Sequence, residues 1–83
     1  MNRDQIKSVV LSELYSIAPE LEDEDIATNT AFRDQFDFDS MDFLNFVIGL
    51  HETLKIDIPE SDYPKLLSLS GCIAYLESKD LPG

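Results

Sequence analysis

The stretch FDFDSMDF, residues 36–43, alternates phenylalanines and aspartates around a single serine, Ser40. Phenylalanine side chains favour burial and aspartate side chains favour water, so the chain must sort the two types onto different faces here. Asp39 and Ser40 are both residue types that begin helices, because a side-chain oxygen can accept a hydrogen bond from a free N–H of the first turn. The stretch therefore predicts a helix start, and Ser40 is either its N-cap or a residue displayed for chemistry.

The helix that begins here is expected to run from about residue 40 to residue 54. Asp42 adds negative charge to its first turn, where the helix dipole favours it. Gly49 costs about 1 kcal/mol relative to alanine inside a helix, so its expected use is to let another helix approach closely. The apolar residues expected on the buried face are Leu44, Val47, Leu50 and Leu54, with Phe46 beside them.

The N-terminal part of the chain predicts one more helix followed by a long connection. Apolar residues recur at spacings of three and four between residues 4 and 17, which marks a helix with one buried stripe. Asn2 or Asp4 could cap its start. The acidic segment PELEDEDIATNT, residues 19–30, has no sustained periodicity and predicts a loop that Leu21 and Ile26 hold against the core.

The remaining segments predict short helices and one terminal helix. A turn of helix is expected within TAFRDQF, residues 30–36, capped by Asn29 or Thr30. A short helix is expected at Glu60–Leu66, although Pro64 restricts it because proline fits best in a first turn. Ser70 is expected to cap a final helix that ends near residue 78. That helix is expected to bury Cys72, Ile73 and Leu76.

The fold class predicted is all-α, a four-helix bundle of three main helices and one short helix joined by long loops. No strand pattern and no internal repeat appears. Eighty-three residues predict a single domain, residues 1–83, in which residues 79–83, KDLPG, fray. Hydrophobic residues make up 43% of the chain, too many for a disordered acidic segment.

The charge of the chain limits its partners. Seventeen acidic residues against six basic ones give a net charge of −11. Such a chain is repelled by nucleic acid and by anionic membranes, so neither partner is expected. Two interpretations of the charge remain open: solubility alone, or an electronegative surface that docks on basic patches of other proteins.

Catalytic and metal-binding roles have little support in the sequence. With one cysteine, Cys72, and one histidine, His51, neither a disulfide nor a Cys/His zinc site is expected. His51 lies about 16 Å along the helix from Ser40, so no Ser–His pair forms there. A calcium loop starting at Asp37 fails at its fifth, sixth and twelfth positions. No signal peptide or membrane span is predicted, and the cytoplasm is the expected compartment.

Two hypotheses for Ser40 follow from the residues alone. It is an ordinary N-cap, or Asp39 supplies the cap and the Ser40 hydroxyl points outward. In the second case a phosphate ester on Ser40 would be well placed, because the free N–H groups and the dipole of a helix start favour an anion.

The segment DSMDFLNFVIGLHE, residues 39–52, strongly resembles the serine-bearing helix of acyl carrier proteins. IDIPESDYPKLLSLSGCIAYLES, residues 56–78, is similar to the family's Ile-Pro, acidic short helix and final helix, and the resemblance covers nearly the whole chain. It implies that Ser40 receives 4′-phosphopantetheine from coenzyme A through a phosphopantetheinyl transferase. The core residues it implies are Leu44, Phe46, Val47, Leu50, Leu54, Ile58 and Ile73.

The same resemblance implies a non-catalytic, monomeric carrier that holds acyl-type cargo as a thioester and presents it to ligases, synthases and transferases with basic docking patches. Its recognition residues would be Asp39, Met41, Asp42, Asn45, Ile48 and Glu52. An aminoacyl or peptidyl carrier loaded by a separate ligase is the first alternative. An acidic helical interaction module, in which Ser40 is only a cap, is the alternative from another class.

Several departures from the family pattern suggest a specialised lipid or polyketide pathway. The family often has Leu-Gly where this chain has Phe36 and Asp37. Asn45 and His51 occupy positions where fatty-acid carriers usually have acids. Phe43 is either covered by the loop that carries Phe32 and Phe36 or exposed as a docking contact, and the covered position is favoured.

Overall fold

The computed structural model describes residues 1–79. Its α-helices are α1 (Arg3–Ile17), α2 (Phe32–Gln35), α3 (Ser40–Leu54) and α4 (Leu69–Glu77), and 3-10 helices span Pro19–Asp23 and Glu60–Leu66. Over the described residues the only β structure is an isolated bridge between Ala31 and Ser68. The prediction of a small all-α bundle is confirmed. Of the tail expected to fray, residues 80–83 lie outside the described residues.

None of the helices within residues 1–79 combines the length and the apolar character needed to cross a membrane.

The first helix begins with a reciprocal cap. The Asn2 side chain accepts a hydrogen bond from the Gln5 N–H at 2.9 Å, and the Gln5 side chain accepts one from the Asn2 N–H at 2.9 Å. Of the two predicted caps, Asn2 is correct. The following segment is not the continuous loop expected, because Pro19 starts a 3-10 turn that buries Leu21.

Two predicted caps are wrong. Helix α2 begins after Ala31 with no side-chain cap, and neither Asn29 nor Thr30 caps it. Helix α4 is capped by Ser68, whose Oγ accepts from the Gly71 N–H at 3.1 Å. Ser70 lies inside the first turn instead, because its own N–H donates to the Thr28 carbonyl at 2.9 Å and ties the two loops together.

The core lies where α1 packs against α3 and α4. Its buried side chains are Ile6, Val10, Leu14, Phe32, Phe46, Val47, Leu50, Leu66, Leu69, Cys72, Ile73, Tyr75 and Leu76. The prediction that Leu44 belongs to this core is wrong, since Leu44 is 41% exposed. Phe43 takes the inward position next to it, and a rotation of about 100° per residue then points Leu44 outward.

At Gly49 the near contact is the end of a flexible side chain of α1, and not the backbone of another helix as the predicted close approach would require. A Cβ at position 49 would collide with the carboxylate of Glu13 on α1. The Thr53 hydroxyl donates to the same carboxylate, so one acidic side chain of α1 packs across a full turn of α3.

The C-terminus of α3 turns through a left-handed residue. Lys55 has φ 55° and its N–H donates to the His51 carbonyl. The Ile56 N–H also donates to that carbonyl, at 3.3 Å. His51 is exposed, and its ring nitrogen Nδ1 contacts the Ile56 carbonyl oxygen. The histidine side chain therefore packs against the backbone that follows the C-terminus of α3.

A polar contact joins the second 3-10 helix to α4. The Tyr75 hydroxyl donates to Asp62 Oδ2 at 2.7 Å, and Lys65 Nζ lies 3.5 Å from Asp62 Oδ1. The hydrogen bond from Tyr75, aided by Lys65, lowers the pKa of Asp62 below its ordinary value. Burial, together with the contact to Asp62, raises the pKa of Tyr75 to about 12.

We expect Tyr75→Phe to lower the free energy of unfolding at pH 7 and to flatten its pH dependence. A lowered pKa in the folded state stabilises it above the ordinary Asp value of 3.8, and this contribution disappears as pH falls through the folded value. Urea unfolding at several pH values should therefore show the difference between wild type and variant shrinking below pH 3.8. Tyr15→Phe is the control, and an equal pH dependence in both variants would contradict the assignment.

Candidate functional site

Ser40 is the first residue of α3, and its side chain is exposed. The cap comes from Asp39, whose Oδ1 accepts from the Asp42 N–H at 2.8 Å, while the Asp39 carbonyl accepts from the Phe43 N–H at 3.0 Å. Over residues 1–79 no side chain or backbone group hydrogen-bonds the Ser40 hydroxyl. Ser40 is therefore not the cap, and its hydroxyl stands free at the positive end of a helix dipole.

A cluster of aromatic rings fixes the loop that leads to Ser40. Phe32 is buried at its centre, with the ring of Phe36 stacked at a centroid distance of 5.8 Å and that of Phe38 edge-on at 5.6 Å. Phe46, from α3, meets Phe32 edge-on at 5.6 Å. Aromatic pairs of this geometry stabilise beyond their buried area, so the loop is held by side chains from both of its ends.

Phe43 is covered, as the sequence favoured, and is half-buried. The rings next to it are those of Phe38 at 6.3 Å, Tyr63 at 6.0 Å and Phe46 at 6.5 Å. The predicted loop therefore covers Phe43 through Phe38, and not through Phe32 or Phe36. Position 37 needs no special backbone, because Lys55 is the only non-glycine residue with positive φ within residues 1–79. Asp37 thus occupies, without backbone strain, the position where the resemblance leads us to expect glycine.

Acidic side chains surround Ser40 without forming a metal centre. Asp37 and Asp39 are exposed and Asp42 is half-buried. Over the described residues no group of three or more potential metal ligands comes together. The acids therefore supply a negative field around the helix start, which attracts cationic protein surfaces.

Four of the expected recognition residues lie on one exposed face of α3, whereas a fifth, Asp42, is half-buried. Met41 is 65% exposed and Ile48 is 43% exposed. Leu44, which sequence reasoning placed in the core, lies between them. Its spacing of three residues from Met41 and four from Ile48 was the pattern that could have revealed it. We call this exposed face of α3 the docking face, after the recognition role expected of it, and define it by Met41, Leu44, Asn45, Ile48 and Glu52.

A small cavity adjoins the free serine. Its volume is about 120 Å³. It lies between the end of the aromatic loop, the start of α3 and the segment before α4. The residues that line it are Phe32, Arg33, Phe38, Asp39, Ser40, Phe43 and Leu67.

Comparison with known proteins explains this arrangement. The family model described as phosphopantetheine attachment site matches residues 4–76. The acyl carrier protein of Campylobacter fetus subsp. fetus (strain 82-40) is 30% identical over 74 residues, covering 89% of this chain and 90% of that protein. The acyl carrier protein of Campylobacter hominis is 28% identical over 75 residues, covering 90% of this chain and 89% of that protein. The chain belongs to the acyl carrier protein family.

The residues around Ser40 fit the prosthetic group of that family, 4′-phosphopantetheine. A covalent phosphodiester needs an accessible hydroxyl, and the Ser40 hydroxyl is exposed and unbonded over the described residues. It also needs a site that tolerates a new anion. The N-terminus of the 15-residue helix α3 supplies free N–H groups and a positive dipole end to offset the neighbouring carboxylates.

Proposed function

We propose that this domain carries acyl-type intermediates on a 4′-phosphopantetheine arm attached to Ser40, and presents them to partner enzymes in a specialised lipid or polyketide-type pathway. The observation that carries the proposal is the free hydroxyl of Ser40 beside a neighbouring cap, Asp39. A serine needed as the cap would have its oxygen engaged by the backbone. Here the helix start is complete without it.

The proposed loading step uses the Ser40 hydroxyl as nucleophile in the active site of a phosphopantetheinyl transferase. Ser40 Oγ attacks the phosphorus that bears the pantetheine chain in coenzyme A. The Oγ–P bond forms, the pyrophosphate bond breaks, adenosine 3′,5′-bisphosphate leaves, and a base of the transferase takes the hydroxyl proton. The attached arm then supplies a terminal thiol that holds cargo as a thioester. The domain itself performs no turnover.

The docking face supports recognition by several enzymes in turn. Met41, Leu44 and Ile48 form an apolar stripe, and Asp39 and Asp42 lie at the Ser40 end of the same helix. Apolar contact supplies affinity, while charge of one sign speeds encounter with cationic surfaces. The net charge of −11 acts in the same direction. We therefore propose partners with a basic patch around an apolar groove. We also propose the cytoplasm as the compartment.

We expect Leu44→Lys to lower kcat/KM for loading by the transferase about tenfold, which corresponds to roughly 1.4 kcal/mol. Leu44 is exposed, so the fold should tolerate the change. Ala74→Lys is the matched control: it adds the same charge at an exposed position of α4, away from the docking face. Equal rates for the two variants would show that the docking face takes no part in loading.

An acyl-type cargo is favoured over an aminoacyl cargo because the relatives are named acyl carrier proteins.

The attachment is tested by incubating the purified chain with coenzyme A and a broad-specificity phosphopantetheinyl transferase. Intact-mass analysis should show the gain of one arm, and digestion should place it on the peptide that contains Ser40. No gain of mass would overturn the carrier function and leave the acidic interaction module in its place.

A further inference from the structure

The cavity beside Ser40 has the size and lining to hold a small branched hydrocarbon group. Three aromatic rings, those of Phe32, Phe38 and Phe43, form its walls together with Leu67. Its volume is about 120 Å³. An apolar cavity of about 150 Å³ in another protein takes one benzene molecule. A long acyl chain therefore does not fit, whereas a group of four to six carbons, by the same comparison of about one ring, does.

Arg33 places a positive charge at the same cavity. Its side chain is exposed and lines the cavity together with Ser40. Over residues 1–79 Arg33 forms no ion pair, whereas the other arginine, Arg3, pairs with Glu77 at 2.9 Å. A guanidinium binds phosphate oxygens through paired hydrogen bonds. An arginine without a carboxylate partner, at a cavity whose rim holds the attachment serine, is suited to an anion on that serine.

We propose that this cavity is the docking site for the first part of the arm, an inference that rests on the proposed attachment at Ser40. The Arg33 guanidinium pairs with the phosphodiester on Ser40 Oγ. The next part of the arm is a carbon that bears two methyl groups, and this compact group enters the cavity and lies against the rings of Phe38 and Phe43 that line it. These two rings pack edge-on against each other, with centroids 6.3 Å apart, and form one continuous aromatic wall.

The sequence of groups along the arm favours its first part, and not the cargo, as the occupant of the cavity. Ser40 itself lines the cavity, so the atoms nearest the phosphodiester reach it without any loop in the arm. The thioester end would have to fold back over the full length of the arm. Docking of the first part would also fix the direction in which the rest of the arm leaves the protein, whatever cargo it carries.

The test uses the loaded protein and observes the two methyl groups directly. Coenzyme A labelled with ¹³C in the pantetheine portion is transferred to the unlabelled chain, and loading is verified by intact mass. We expect both methyl resonances to shift upfield relative to the same loaded protein in urea, because they lie against aromatic rings. We also expect nuclear Overhauser contacts to the ring protons of Phe38 and Phe43.

Variants separate the two halves of the site. Arg33→Gln should lose most of the upfield shift, whereas Arg3→Gln, which removes the other arginine, should keep it. Phe43→Leu keeps an apolar wall but removes one ring, and should reduce the shift.

A loaded protein with the same methyl shifts in buffer and in urea would overturn the docking site while leaving Ser40 attachment intact. Equal shifts in Arg33→Gln and wild type would overturn the role of Arg33. Failure to load at all would instead overturn the proposed function.

Discussion

Ser40→Ala is expected to abolish loading of the arm completely and to leave the stability of the domain unchanged within about 0.5 kcal/mol. The hydroxyl is the only group of this chain that forms a bond in the proposed transfer reaction. Over residues 1–79 it accepts and donates no hydrogen bond. Asp39 retains the cap, so α3 begins in the same place without it. Intact mass after incubation with coenzyme A and transferase measures the first effect, and urea unfolding measures the second.

Two control variants separate the effect on loading from the effect on stability. Ser61→Ala removes an exposed serine at the start of another helical segment, and should load like wild type. Asp39→Ala removes the cap and should destabilise by about 1 kcal/mol. A Ser40→Ala chain that still gains the mass of an arm would move the attachment to another residue. A loss of more than 1 kcal/mol in that variant would show that the serine has a structural role.

Phe32→Ala is expected to have the largest effect on stability, a loss of about 4 kcal/mol in the free energy of unfolding. Phe32 is buried and its ring contacts those of Phe36, Phe38 and Phe46. Its N–H also donates to the Leu67 carbonyl at 2.8 Å, which places the ring between the loop and the start of α4. A domain of this size has a total stability of about 5–10 kcal/mol, so this one side chain accounts for roughly two-fifths to four-fifths of it.

Chemical denaturation of matched variants tests this arrangement. Phe32→Leu keeps most of the apolar volume and should cost less than about 1.5 kcal/mol. Phe36→Ala removes a half-buried ring and should cost about 3 kcal/mol, at the lower end for phenylalanine. If Phe32→Ala costs no more than Phe32→Leu, the aromatic cluster does not hold the loop.

Much of the fold could be predicted because local patterns decide it. The spacing of apolar residues located α1 and α3, and the capping residues Asn2 and Asp39 belong to the residue types that the helix start requires. The incorrect caps failed for a tertiary reason. Ser70 has the same local chemistry as Ser68, but only the folded chain brings the Thr28 carbonyl to its N–H.

The burial of α3 shows a second limit of pattern reasoning. Leu44 and Phe43 are adjacent, and either one extends an apolar stripe through Val47 and Leu50. The choice depends on Phe38 and Tyr63, which supply a surface for the ring of Phe43. Those two residues come from different segments, so the sequence pattern alone could not decide which neighbour faces the core.

The candidate site divides in the same way. The family resemblance singled out Ser40 and most of the docking face as candidates, since these residues lie within one helix. The cavity could not be foreseen, because Leu67 and Arg33 approach Ser40 only through the hydrogen bonds that join the loop before α2 to the start of α4.

The buried cysteine has a practical consequence for work with this carrier. Cys72 is the only cysteine, it is buried, its thiol donates to the Leu66 carbonyl at 3.3 Å, and burial raises its pKa to about 12. The thiolate that reacts with alkylating reagents is therefore nearly absent at neutral pH. In the loaded protein the thiol at the end of the arm would be the only one that such reagents reach. A simple thiol assay on the folded protein would then count unacylated arms directly, without mutation of Cys72.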